Sequence, residues 1–322
     1  MQRLRVRVRW HRALFAVKRA ELPNELRTPQ QFIGINSVGC GATHSIMEKC
    51  NFSCTSCYLS EVANYTRPLP FEQVATQLDA LRAHLGVRGK VQITSGEVTL
   101  LPVGELGRIV AYARQIGLDP MVMTNGQRLL QAPSYLSELV EDYGLRKISF
   151  HIDTTQKGRP GLSLGQKERD LHPTRERFVR LVEAVRRQTG KPLYAAQTVT
   201  ITPQNFDDIP DVVEWAIRHA DSFRILSLLP VAEVGRTADR GAEHITMEGL
   251  WNKVCAGKHL NRHTMHFGHS ECNITLPVLV VAVGKERLVV EVVRECKSWD
   301  RRVLPERFAP MPFPSTSPMD VC

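Results

Sequence analysis

Along residues 36–230 the chain alternates between short apolar runs and stretches where apolar residues recur every three or four positions. A run of four to eight apolar residues reads as a strand, and the 3.6-residue recurrence reads as the buried face of a helix. The runs are HSIM (44–47), VQITS (91–95), PMVMTN (120–125), KISFHID (147–153), LYAAQTVTI (193–201) and FRILSLLP (223–230). Between them lie helical faces carried by Phe71, Val74, Leu78, Leu81 and Leu85, then by Leu106, Ile109, Val110 and Ala113. Further faces fall on Leu136, Leu139, Val140 and Tyr143, on Phe178, Leu181, Val182 and Val185, and on Ile209, Val212, Val213, Ala216 and Ile217.

Six strands, each of the first five followed by a helix, predict a parallel sheet with its helices outside. The strands carry few charges, as expected when both faces are buried. Six units fall short of a closed eight-fold barrel. The expectation is therefore an α/β fold, a partial (β/α)6 TIM-like barrel, with its chemistry at the C-terminal strand ends. The polar groups obey that rule: a cysteine loop, SGE (95–97), TNG (124–126) and HID (151–153) all follow strands.

Outside this region the pattern changes. Residues 1–35 form a basic N-terminal arm in which Arg3, Arg5, Arg7 and Arg9 alternate with Leu4, Val6 and Val8. An edge strand with one solvated basic face accounts for it, and a patch for acidic headgroups or an anionic substrate is the sharper alternative. Residues 231–322 form a C-terminal extension, irregular over 231–270. It continues with a β-hairpin over 276–293 turning at Gly284-Lys285 and a Pro-rich tail over 308–318.

The length of 322 residues is enough for one large domain with an appendage. The N-terminus lacks the uninterrupted apolar core of a signal peptide, and no apolar run is long enough to span a bilayer, so a cytoplasmic protein is expected, with peripheral membrane contact as the variant. The net charge of +9 leans toward anionic partners. Basic residues interleaved with aromatics are missing, which argues against nucleic acid. Without a secretory signal, the eight cysteines point to metal or thiol chemistry rather than disulfides.

Three of them, Cys50, Cys54 and Cys57, stand in KCNFSCTSCYLS (49–60) as C-x3-C-x2-C. Structural zinc sites close with four ligands, and neither His44 nor Cys40 is an obvious fourth. A redox dithiol needs only C-x-x-C. Three thiols on one loop can instead hold three corners of a [4Fe–4S] cluster and leave the fourth iron open. The motif and its place after the first strand resemble the radical S-adenosylmethionine (SAM) superfamily.

That resemblance implies a fold, cofactors and a reaction. The cofactors would be a [4Fe–4S] cluster on Cys50, Cys54 and Cys57 and SAM chelated to the open iron. One electron from an external ferredoxin- or flavodoxin-like donor would cleave SAM to a 5′-deoxyadenosyl radical that abstracts hydrogen from carbon. Ser95, Gly96 and Glu97 match the family's Gly-Gly-Glu-like turn, with Ser95 in place of the first glycine and Glu97 as acceptor for the methionyl ammonium. Asn125 and Asp153 stand where the family contacts SAM or its ribose, although Asn125 also fits an ordinary β-to-α turn and Asp153 an N-cap. Tyr58, a further candidate for the cofactor site, follows the third cysteine, whereas many members place an aromatic before it, where this chain has Ser56. With LLPVAEVGR (228–236), that resembles the tetraether lipid synthase-like and pterin-methylating members. It implies alkylation, carbon–carbon bonding or methylation of a lipid or other anionic small molecule, with Arg236 a candidate for the anion. The alternatives are a peptide- or cofactor-maturation enzyme, whose kind typically carries a fuller set of C-terminal cysteines, and a non-catalytic metal-binding interaction module.

Cys255, Cys272 and Cys296 admit an auxiliary cluster, a thiol pair or inert packing. His259, His263, His266 and His269 have spacings that zinc accepts, but a loop above the barrel mouth accounts for them and is preferred.

Overall fold

The computed structural model describes residues 42–163, 165–238, 245–256, 278–284 and 286–291, with residues 20 and 276 beside them. Contacts divide the chain into two compact units, Gly41–Val254 and a second of Met1–Cys40 with Cys255–Cys322.

The larger unit is built on six parallel strands: β1 (Ala42–Met47), β2 (Lys90–Ser95), β3 (Asp119–Thr124), β4 (Lys147–His151), β5 (Tyr194–Ile201) and β6 (Phe223–Pro230). They lie in the order β1-β2-β3-β4-β5-β6, every neighbouring pair parallel. A sheet that never reverses its strand order keeps its crossover helices on one side and curls, so this is the open, partial TIM-like barrel that the alternation predicts. All six strands end on the same rim, which gathers the loops bearing the polar residues.

The helices are α1 (Phe71–Leu85), α2 (Val103–Gln115), α3 (Gln127–Gln131), α4 (Pro133–Glu141), α5 (His172–Thr189), α6 (Ile209–Arg218) and α7 (Met247–Ala256). α1 shows why they form where they do. Val74, Leu78 and Leu85 share its buried face, and Gly86 at φ +81° stops it in a conformation other residues resist. Leu78, Leu106, Leu136, Phe178 and Trp215 are wholly buried in the main core. Each such side chain contributes about 1.5–3 kcal/mol.

Two helices depart from the sequence reading. α3 is a single extra turn opened by Gly126 at φ +72°, with the Asn125 side chain accepting from the Gln127 amide at 2.9 Å. α7 lies in the stretch expected to be irregular. Its Leu250 and Val254 pack with Val199, Ile209, Val212 and Val213 in a second small core, an apolar face too short to stand out among polar neighbours.

In the second unit, β7 (Val278–Val283) and β8 (Glu286–Glu291) pair antiparallel with Val283 opposite Glu286, and Gly284 turns at φ +61°. This is the expected hairpin. Among the described residues no helix is long and apolar enough to cross a membrane.

Candidate active site at the strand ends

The cysteine loop leaves β1 just past a register shift between Ser45 and Met47 and is held from several sides. The turn after β2 meets it first: Gly96 N donates to Met47 O at 2.7 Å and Glu97 N to Lys49 O at 2.9 Å. A Cβ on Gly96 would lie 2.2 Å from Lys49 O and 2.4 Å from Glu48 O, so only glycine fits this crossing. On a second side the loop after β4 runs alongside, with Ser53 N donating to Lys157 O at 2.8 Å and Thr55 N to Thr155 O at 2.9 Å. On a third, the segment after β6 closes in. Arg236 N donates to Cys57 O at 3.0 Å and Leu59 O at 2.9 Å, and Ala238 N donates to Thr55 O at 2.7 Å. Gly235, at φ +60°, lets that backbone pass, since a Cβ there would lie 2.2 Å from Tyr58 O.

Cys50, Cys54 and Cys57 are free thiols, each half-buried. Cys50 N donates to Asn64 Oδ1 at 3.0 Å, and the Cys50 sulfur accepts the Phe52 amide at 3.4 Å. Burial pushes the Cys50 thiol up. Burial also pushes Cys54 far up, helped by the Asp153 charge, while Arg236 pulls it back. Bound iron reverses this balance, because a cationic centre favours thiolate, so loading releases protons. Among the described residues no three His, Cys, Asp or Glu side chains close on one point as a single ion requires. Three thiols on one loop can supply one thiolate to each of three irons.

Glu97 is 1% exposed and its carboxylate is already occupied. One oxygen accepts from Thr99 N at 3.0 Å, Thr99 Oγ1 at 2.5 Å and Thr124 Oγ1 at 2.5 Å, and the other from Asn125 N at 2.6 Å. A carboxylate offers about four lone-pair sites, so in this conformation the side chain ties the end of β2 to the end of β3. Ser95 sits at φ +123°, a region that favours glycine, and its carbonyl accepts the Tyr58 hydroxyl at 2.9 Å. The substitution that looks slight in sequence therefore stores backbone strain.

Asn125 joins two parts of the rim. Its Nδ2 donates to Asn51 Oδ1 at 2.7 Å, tying the turn after β3 to the cysteine loop while its Oδ1 opens α3. Asp153 is fully buried. It accepts from Thr155 N at 3.0 Å, Thr155 Oγ1 at 2.6 Å and Thr200 N at 2.8 Å, and pairs with His151 Nε2 at 2.6 Å. Burial alone would raise its pKa. The His151 charge and the donated bonds outweigh burial and hold it at about 2. Arg236 is half-buried against the cysteine loop rather than free in solvent. Cys255 lies in the last turn of α7, while Cys272, Cys296, Cys40, the four histidines of 259–269 and the N-terminal arginines lie outside the described residues.

Asn51 and Arg159 carried no sequence signal, and His151 was marked only as part of the HID run. Asn51 is one asparagine in a loop. His151 ends β4, its side chain 32% exposed and bonded to Asp153 and to Thr200 Oγ1 at 3.0 Å. Arg159, in a polar insert, is 3% exposed over the Phe52 ring at 5.2 Å. Ser56 Oγ, Arg159 Nη1 and Arg236 Nε are buried without a partner. All three can donate, and all belong to the cysteine loop or to segments against it. Such donors fit a sulfide- and thiolate-rich group seated on that loop.

A parallel partial barrel with three thiols on the loop after its first strand defines a class of cofactor-dependent enzymes. The Radical SAM superfamily model matches residues 44–216, just over half of the 322, and the chain belongs to that superfamily. The superfamily's cofactors are a [4Fe–4S] cluster and SAM, and its members need a one-electron donor. Among characterised relatives, the GTP 3′,8-cyclase of Streptomyces coelicolor is 26% identical over 192 residues, 58% of this chain and 52% of that protein. GTP 3′,8-cyclase 1 of Pseudomonas aeruginosa is 27% identical over 197 residues, 60% and 55% of the two chains. The chain thus spans about half the length of these relatives. A solved structure, anSMEcpe with bound AdoMet and Kp18Cys peptide, aligns with TM-score 0.45 at 13% identity over 67% of this chain and 57% of that one.

Proposed function

We propose that Cys50, Cys54 and Cys57 carry the [4Fe–4S] cluster and that the enzyme abstracts hydrogen from a carbon of a small anionic substrate. The observation that carries this reading is the clamped cysteine loop, held by the turn after β2, the insert after β4 and the segment after β6. When bound, the cluster and SAM together supply a one-electron cleavage that yields methionine and a carbon-centred radical. The protein's part is to place and to exclude. Gly96 brings the turn after β2 within hydrogen-bond reach of the loop, and that turn, Ser95 to Glu97, is the part we assign to the methionyl end. Asn125 keeps that side in register with the loop through Asn51. His151 offers its ring at the same rim, oriented by Asp153 and Thr200. Arg236 holds the loop from the β6 side.

The test is iron and sulfide content with dithionite-dependent formation of 5′-deoxyadenosine from SAM. Wild type is expected to hold about four irons per chain and to cleave SAM. Cys54→Ala is expected to lose the cluster and the cleavage. Zinc in place of iron would overturn the reading and favour the interaction module.

A second, finer reading concerns the substrate. The sequence pointed to a lipid or another anion. The named activity of the relatives instead favours a purine nucleoside triphosphate, the cofactor-maturation alternative. Deuterium transfer from ring-labelled GTP into 5′-deoxyadenosine would support it. Transfer from an isoprenoid lipid alone would return the reading to lipids.

A further inference from the structure

Two arginines flank Phe52, the residue midway between Cys50 and Cys54. Arg159 comes from the β4–α5 insert, its guanidinium over the Phe52 ring. Its Nε donates to Gln156 Oε1 at 2.7 Å, and its Nη2 donates to Asn125 O at 2.8 Å and His151 O at 3.0 Å. Arg236 comes from the segment after β6, its Nη2 facing Phe52 O at 3.5 Å. Each keeps one buried nitrogen without a partner, Nη1 of Arg159 and Nε of Arg236. Neither has a carboxylate at ion-pair distance among the described residues. Two acids of the rim have other partners: Asp153 pairs with His151, and Glu97 accepts from Thr99, Thr124 and Asn125.

A buried cation supported only by neutral acceptors is costly, and an unfilled buried donor on it adds to the cost. Burial does press on Arg159, whose pKa falls to about 10, while the charges of Asp153, Cys54 and Glu97 oppose that fall. It therefore remains a cation at neutral pH, over the Phe52 ring between Cys50 and Cys54. Arg236 reaches the same loop, its backbone N donating to Cys57 O at 3.0 Å and its Nη2 facing Phe52 O at 3.5 Å. A cluster on three thiolates is an anion, and reduction by one electron adds a further negative charge. Fixed positive charge and N–H donors beside it favour the reduced form, and local charge and hydrogen bonds to sulfur set the potentials of such clusters.

We propose that Arg159 and Arg236 form a cationic clamp on the cysteine loop that compensates the reduced cluster and raises its potential to within reach of the electron donor. The inference rests on the reading that Cys50, Cys54 and Cys57 hold that cluster. It assigns the two arginines to the cluster and not to the substrate, and makes them positioning and tuning residues.

The experiment is a redox titration of the reconstituted protein followed by electron paramagnetic resonance, without SAM, with iron content measured first. Arg159→Gln and Arg236→Gln, each holding the wild-type iron, are expected to lower the reduced-to-oxidised ratio at a fixed potential about tenfold. For one electron that is a shift of about 59 mV in the negative direction. Arg236→Lys, which keeps the charge, is expected to stay near wild type. Should Arg159→Gln fail to take up iron, Arg236→Gln decides alone, because its side chain is only half-buried. An Arg236→Gln protein with full iron and an unmoved potential overturns the clamp. A shift seen only after SAM is added also overturns it, and gives the arginines to the methionyl carboxylate. Wild-type protein without iron would instead refute the underlying assignment, before any potential is measured.

Discussion

Leu78, Leu106, Leu136 and Phe178 are wholly buried in the main apolar core. The loop after β4 buries Asp153, Gln156, Arg159 and Glu168 almost as completely. The two regions reach the same exclusion of water by opposite means. The body gains from apolar area in proportion to what it covers. The rim must satisfy every buried charge individually, or it loses stability rather than gaining it. Glu168 illustrates the rim. It accepts from Thr154 N and Thr154 Oγ1 at 2.8 Å and from Asn205 Nδ2 at 2.9 Å, and pairs with the wholly buried Arg175. Arg175 in turn donates to Ile152 O at 2.9 Å, just before Asp153. The network that anchors this loop continues directly into the groups beside the cysteines.

The largest effect should come from removing one member of that network. Glu168→Ala leaves Arg175 buried without its anion and is expected to cost about 3–5 kcal/mol. In denaturant titrations this should match or exceed Leu136→Ala in the body, expected at about 2–5 kcal/mol. A cost below 1 kcal/mol would show that the rim tolerates loss as a surface does.

Gly96→Ala sets a methyl against two backbone carbonyls, which cannot swing aside as side chains do. An expected loss of about 1–3 kcal/mol should be accompanied by poorer iron uptake, because the atoms displaced lead into Cys50. Unchanged iron content would disconnect the turn after β2 from the loop.

Asp153 gives a pH signature. Its folded pKa, about 2, lies below the ordinary 3.8, so its contribution is present above the ordinary value and is lost as pH falls through the folded one. At 1.36 kcal/mol per unit this amounts to about 2 kcal/mol. Asp153→Asn should be less stable than wild type by about that much at pH 6, and the two should converge near pH 2. Parallel curves would remove the His151–Asp153 pair from the account.

The smallest effect has the opposite sign. Ser95→Gly relieves a positive φ and is expected to stabilise the protein by about 1 kcal/mol, after the entropy that glycine adds to the unfolded chain. A loss of stability would mean that the serine side chain makes a contribution outweighing its strain.

The strands and the principal helices were legible because burial on a regular backbone imposes a period, and a period survives in one dimension. The cysteine loop was legible because three thiols must be close in space, and a single loop keeps them close in sequence. α7 was missed because its buried face is two residues long, Leu250 and Val254. The position of Glu97 after β2 was legible, but not that Thr99, Thr124 and Asn125 would donate to its carboxylate.

By itself, then, the sequence determined the alternation that makes a six-stranded partial barrel, and the thiol spacing that marks its family. Tertiary structure alone decided which rim residues meet. Asn51 reaches Asn125, Arg159 lies over Phe52 and Arg236 clamps Cys57 across separations of 74, 107 and 179 positions. Periodicity reports only how a segment faces the core. Pairing between loops depends on where the closing sheet delivers their ends, and no local pattern along the chain encodes that.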